Sequence, residues 1–307
     1  MNVREWALIA FTILAQMSVG SFLVLGVVHF FAARKDGMEE ADRLSDRALL
    51  AIGPVLALSL IVSLVHLGNP MNSYRAVTNL GTSWLSREIL SAVSFTVVGG
   101  LFALMQWRKI ATPLIRNVIA WLAALIGVVL VYSMSNVYML PTQPAWDSLA
   151  TPITFFATTL LLGVLAMGAA FVANYAYVQR TNPGCADKQC QLLRASLRWI
   201  AVASVVLLGI ELIVAPLQVA YLAAGTSAAS QASAALVFGG YGLILATRLV
   251  LVFLGAGIIG LFLYQNATSP GQEKIMGTLT YAAFVIVFVA EVLGRYVFYA
   301  AHVRIGI

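Results

Sequence analysis

The sequence predicts an all-α integral membrane protein, and three observations predict it. Of its 307 residues 61% are hydrophobic and only 10% are charged, far below the quarter or so that soluble domains carry. The apolar residues gather in runs of about twenty or more, the length that crosses a hydrocarbon core as a helix. Those runs carry few polar side chains, so helices rather than barrel strands satisfy the backbone in lipid. No room is left for a sizeable soluble domain, and residues 1–307 read as a single transmembrane domain.

Eight spans follow in order, at about 6–31, 48–67, 88–107, 117–140, 152–178, 199–222, 238–264 and 276–301, most simply arranged as two four-helix bundles. The first, inside MNVREWALIAFTILAQMSVG, has no small-residue cleavage site after its apolar core and is expected to be retained. Turn-rich or charged connectors separate the others: ARKDGMEEADRLSDR, HLGNPMNSYRAVTNLGTSWLSREI, RKIATPLIR, PTQPAWDSLATP, QRTNPGCADKQCQLLR, AAGTSAASQASA and NATSPGQEK. Twelve of the eighteen basic residues fall on the odd-numbered connectors, so the positive-inside rule puts those in the cytoplasm and both termini outside. The basic residues are scattered over several connectors, which argues against a nucleic-acid surface despite a net charge of +6.

Ionisable residues at membrane depth are costly and mark function or a paired structural role. His66 closes the second span and Glu88 opens the third, at one level on the outer side. The last span places Glu291, Arg295, Tyr299 and His302 on one face by spacings of four, four and three. Glu291 and Arg295 either neutralise each other or serve a function. Arg248, in the outer third of the seventh span, reads as a snorkelling anchor, and Tyr138 and Trp146 fit an interfacial aromatic belt. His29 has no polar company in the sequence and reads as structural. Glu211, near mid-membrane, is expected to bond a neighbouring helix or to relay protons.

His66 and Glu88 differ from these because they flank a turn-rich segment. Pro70 and Gly81 interrupt helix there, and Asn69, Asn72, Asn79, Ser83 and Ser86 can satisfy the freed backbone. Irregular backbone at this depth belongs beside protein or a water-filled cavity. Such a place suits an apolar molecule with a polar head. A quinol is one: its hydroxyls need acceptors and its oxidation releases two protons. The two cysteines, Cys185 and Cys190, cannot supply the four thiolates of an iron–sulfur cluster. A bis-histidine haem has only His66 and His302 to draw on, so the expectation is no haem and no metal, with electrons passing to an attached subunit. A haem-b anchor and a secondary transporter remain the alternatives.

On these residues the chain resembles the membrane-anchor subunits of the dimethyl sulfoxide reductase family of molybdenum enzymes, with polysulfide-reductase-type anchors as more distant kin. HLGNPMNSYRAVTNLGTSWLSREI at 66–89, PAWDSLATP at 144–152, TRLVL at 247–251 and EVLGRYVFYAAH at 291–302 carry the resemblance. It implies a complex with a molybdopterin catalytic subunit and a four-cluster iron–sulfur subunit in a bacterial cytoplasmic membrane. It ties His66 and Glu88 to menaquinol or ubiquinol, with the quinol site toward the non-cytoplasmic side. Arg75, Asn79, Tyr138, Trp146, Arg248, Glu291, Arg295, Tyr299 and His302 become further pocket or partner contacts. Asn136 departs from the arginine that relatives can carry there. Neither the terminal substrate nor the direction of electron flow is implied, since related anchors serve dimethyl sulfoxide, polysulfide, selenate or sulfite enzymes.

Overall fold

A computed structural model describes residues 3–66, 75, 78–181, 186–267, 269 and 271–306. Eight helices among them are long and apolar enough to cross a membrane. They are α1 (Val3–Asp36), α2 (Met38–His66), α3 (Trp84–Arg108), α4 (Pro113–Tyr138), α5 (Ala150–Thr181), α6 (Ala186–Ala224), the run from α8 (Gly242–Val252) to α9 (Gly260–Ala267), and α10 (Glu273–Ala300). A short α7 (Ala228–Ala235) lies before α8.

The helices outrun the expected spans wherever charge can be satisfied at the membrane edge. The stretch ARKDGMEEADRLSDR, expected as a connector, is almost wholly helical: α1 and α2 are divided only by Gly37, whose φ of +90° suits a residue without a Cβ. Its charges are tied in helical register and across helices. Arg43 donates to Glu39 at 2.8 Å, and Lys109 from the end of α3 reaches Asp42 at 2.7 Å and Asp46 at 2.8 Å. Gln106 donates to the same two carboxylates, and His29 meets Asp42 at 2.9 Å. His29 therefore has polar company, contrary to the sequence reading. Its partner lies on the next helix, thirteen residues away, where a single-helix pattern does not reach.

α3 and α4 form a tight hairpin. Ser83 caps the start of α3 by accepting from the Ser86 N–H, Lys109 closes it with φ 52°, and Thr112 caps α4 with Pro113 at its first turn. The seventh span is not one regular helix. It contains a π-helical stretch, Phe253–Ile259, and a second, Leu236–Gly240, precedes α8. Gly239, Gly240, Gly255 and Gly257 fall in these stretches, where missing side chains let the ladder widen. AAGTSAASQASA, expected as a connector, holds α7, capped by Ser227.

α1 and α5 are the most enclosed spans. They touch through glycine: a Cβ on Gly20 would stand 1.8 Å from the Thr159 carbonyl oxygen, and one on Gly163 2.3 Å from the Gly20 carbonyl carbon. Small residues give membrane helices their closest contacts, so this seam fixes the centre. Around it α2 packs on α1, α3 on α4, α6 on α5, and α8 on α10. Large apolar side chains such as Trp121, Leu149 and Leu243 stay on the outside, as a lipid-facing surface requires.

Candidate functional site

Two polar constellations lie inside the helical core, and the Phe155 ring of α5 touches both. The first is built on Glu88, one turn into α3. Its neighbour Arg87 turns away: the guanidinium donates to the carbonyls of Leu80 at 2.9 Å and Gly81 at 2.8 Å and lies 4.2 Å from the Trp84 ring. Arg87 thus braces the turn before α3, and Glu88 points inward, only 6% exposed, with no cation bonded to it among the described residues. Asn79 helps shape that turn by accepting from the N–H groups of Thr82 and Ser83. The Arg75 carbonyl accepts from the Thr78 hydroxyl at 2.7 Å. Both Arg75 and Asn79 have exposed side chains.

Facing this region are the hydroxyls of Tyr138, at the end of α4, and Tyr299, near the end of α10. Tyr299 donates to Tyr138 at 2.8 Å, and both lie within electrostatic range of Glu88. Aromatic rings wall them in. Tyr138 packs against Trp146 (5.3 Å between centroids), Phe298 (5.4 Å) and Phe155 (5.7 Å). Trp146 is more than a belt residue: its indole N–H donates to the Phe298 carbonyl at 2.7 Å and its ring stacks on His302 at 4.3 Å. The His302 ring meets the Tyr299 carbonyl through Nδ1 at 2.6 Å, at the exposed end of α10. The connector 139–149 is thereby locked onto the last turn of α10. His66 ends α2, but its side chain lies outside the described residues, as do residues 67–74, so the expected pairing of His66 with Glu88 lies outside them too.

The second constellation is the one the sequence misread. Arg248 is not an anchor at the interface; it is 7% exposed and forms ion pairs with Glu211 on α6 and, at 3.4 Å, with Glu291 on α10. Glu291 also accepts from the Thr158 hydroxyl at 2.7 Å. Of the two readings of Glu291 and Arg295, mutual neutralisation does not form: no ion pair joins them among the described residues. Arg295 instead donates to the Gln16 side chain at 2.8 Å and stacks over the Phe155 ring at 3.8 Å, while Gln16 donates to the Phe155 carbonyl at 3.0 Å. Gly294 explains the geometry, since a Cβ there would stand 2.3 Å from Arg248 Nε. The glycine opens the seat in which the guanidinium lies. Gln16 and Thr158 were not foreseen because they belong to α1 and α5, far from their partners in sequence.

The polar cluster of Asp42, Asp46, Gln106 and Lys109 pins α2 to α3. Burial pulls the Lys109 ammonium toward the neutral form, but its bonds to the two aspartates outweigh that and raise its pKa. Among the described residues no group of three or more His, Cys, Asp or Glu is placed to hold a metal ion, and Cys190 is a free thiol that bonds Glu273 at 3.0 Å.

The two constellations can do different chemistry. A buried carboxyl group without a bonded cation among the described residues, within electrostatic range of two phenols, can exchange protons with a ligand that enters beside it. A carboxylate pair clasping a guanidinium is paired in charge within the protein and holds helices together. Comparison with known proteins bears on which matters for function. A family model described as DMSO reductase anchor subunit (DmsC) matches residues 1–301. The C subunit of the anaerobic dimethyl sulfoxide reductase of Escherichia coli (strain K12) is 29% identical over 308 residues, covering 99% of this protein and 96% of the relative. The YnfH subunit of an anaerobic dimethyl sulfoxide reductase in the same organism is 29% identical over 304 residues, at 99% and 96% coverage. The C subunit of the Haemophilus influenzae enzyme is 26% identical over 306 residues, at 99% and 97%.

Proposed function

The chain belongs to the DMSO reductase anchor subunit (DmsC) family, and on that premise we propose that it is the quinol-handling anchor of a molybdopterin oxidoreductase complex. In this reading it sits in a bacterial cytoplasmic membrane as two four-helix bundles. Both termini and the quinol site face the non-cytoplasmic side, as the distribution of basic residues supports. A four-cluster iron–sulfur subunit docks over the site and passes electrons between the quinone pool and the molybdopterin subunit. The anchor itself needs neither haem nor cluster.

The observation that carries the proposal is the state of Glu88: enclosed in the first turns of α3, without a bonded cation among the described residues, and within electrostatic range of the Tyr138–Tyr299 pair. A buried carboxylate costs several kcal/mol unless something partners it, roughly as for any desolvated ion. A quinol hydroxyl is such a partner, because it donates to a carboxylate and yields its proton on oxidation. Glu88 and His66 take the two protons as two electrons leave for the iron–sulfur subunit; in the reverse direction they return them to a quinone. Tyr138 and Tyr299 supply neutral hydroxyls that orient the ring oxygens, and Phe155, Phe298 and Trp146 give the ring an apolar wall.

The test is turnover of the assembled complex. Glu88→Gln and His66→Ala are each expected to abolish quinol-dependent turnover while dye-linked turnover, which bypasses the anchor, persists. Unchanged quinol-dependent turnover in both variants would sink the proposal.

A further inference from the structure

A cavity of about 130 Å³ lies between α5, α6, α8 and α10, away from Glu88. Its upper end is marked by Ala145, Val237 and Ala301, at the level of the α4–α5 connector and the end of α10. Its floor is Arg248, Glu291 and Arg295. From Glu291 to Ala301 the backbone of α10 climbs about 15 Å at the helical rise, half of a hydrocarbon core of roughly 30 Å. The cavity therefore leads from the membrane edge to its middle.

Two features say what fills it. One wall carries Thr151, Thr154 and Thr158, spaced three and four residues apart on one face of α5, and the last of them donates to Glu291. At the floor, Arg248 Nε and Arg295 Nε are buried with no hydrogen-bond partner among the described residues, and so is Oε1 of Glu211, the ion-pair partner of Arg248. Buried polar groups of native proteins are nearly always bonded. Much of the cavity wall is apolar, but its floor and the α5 threonines are polar, and at about 130 Å³ it has room for water at those groups. Beyond the floor the space closes: Leu207, Leu208, Val252 and Val287 are buried apolar side chains on α6, α8 and α10.

We propose that this cavity is a water-filled half-channel that carries protons between the membrane edge beside the α4–α5 connector and the Glu211–Glu291 carboxylate pair. Arg248 holds both carboxylates, so one can take a proton while the other keeps the guanidinium paired. The charged and titratable groups around the pair are Glu211 from α6, Arg248 from α8, and Glu291 and Arg295 from α10. α5 contributes hydroxyls only, and α1 the amide of Gln16. This second proton-exchanging place goes beyond the quinol reading and does not depend on it, since Glu88 and His66 are not among its residues.

The full chain in lipid nanodiscs provides the test. Radiolytic footprinting, in which bound water generates hydroxyl radicals in place, is expected to oxidise Leu245 and Phe298 on the cavity wall faster than the sealed Leu207 and Val287. Thr154→Leu should abolish that excess by displacing water, and Thr154→Ser should keep it. Infrared spectra in light and heavy water should show an exchangeable protonated-carboxyl band that disappears in Glu211→Gln or Glu291→Gln. Equal oxidation of cavity wall and sealed core in the unmodified chain would overturn the half-channel, whatever the variants do. A carboxyl band that neither glutamine variant removes would overturn the proton-exchanging pair. Loss of quinol turnover in Glu88→Gln alongside either negative result would leave the quinol site standing and remove only this inference.

Discussion

Glu88 and Glu211 are both buried glutamates at membrane depth, yet their surroundings are opposite. Glu211 is met by Arg248, which also binds Glu291, and that acid is held by Thr158; three helices and α5 are stitched together. Glu88 has two phenols in range and no bonded cation among the described residues, its adjacent arginine being occupied by the carbonyls of the preceding turn. A buried acid in a membrane protein is therefore read by its partners. One that is paired within the protein contributes to the architecture, and one left without a countercharge awaits a ligand.

Substitutions should separate the two by what they damage. The largest loss of stability is expected from Arg248→Met, which leaves Glu211 and Glu291 buried without their cation. Breaking one partner of a buried pair costs about 3–5 kcal/mol, to be read as early thermal unfolding of the full chain in detergent. Glu88→Gln should leave that unfolding unchanged or delay it, because the amide keeps the side chain's shape and breaks no ion pair among the described residues. A variant of Glu88 as unstable as Arg248→Met would erase the distinction. Gly294→Ala comes next. Its methyl group would strike Arg248 Nε, and overpacking of this kind costs about 1–3 kcal/mol. Gln16→Leu takes away the side-chain acceptor of Arg295 and should cost roughly 1.5–3 kcal/mol, the usual worth of a bond to a charged group.

The smallest effect belongs to Lys109→Met in the cluster that joins α2 to α3. Lys109 is substantially exposed, so its two ion pairs should contribute no more than about 1 kcal/mol. The sign of its pH dependence is fixed by the raised pKa. The contribution is fully present below the ordinary lysine value of 10.5 and fades as pH rises through the higher folded value. Unfolding followed at neutral and strongly alkaline pH in the unmodified protein and the Lys109 variant checks this, and the two should converge at the alkaline end.

The same contrast explains what could and could not be read from the sequence. Spans are written in hydropathy, and all eight appear in the structure. Their ends were not legible, because Glu39, Asp42, Asp46 and Lys109 look like loop residues until partners from neighbouring helices satisfy them within helical segments. Glu88 stood out because its neighbours in sequence are turn residues, a local signal. Arg248 was misread because its partners lie 37 and 43 residues away on other helices, and spacing rules see only one helix at a time. Glu291 and Arg295 satisfied the i, i+4 rule and still chose other partners, Arg248 and Gln16, because the α1–α5 seam and Gly294 bring those closer. Trp146 could be read only as a belt residue until α10 placed the Phe298 carbonyl and His302 beside it.

Quinol binding at Glu88, rather than at the Arg248 network, is the central claim of the proposed function. Equilibrium titration of the full chain with a fluorescent hydroxyquinoline N-oxide, a quinol analogue, addresses it when Glu88→Gln and Gly294→Ala are measured beside the unmodified protein. Saturable binding is expected, abolished by Glu88→Gln and retained in Gly294→Ala. Binding that survives Glu88→Gln and disappears in a folded Gly294→Ala protein would contradict the assignment.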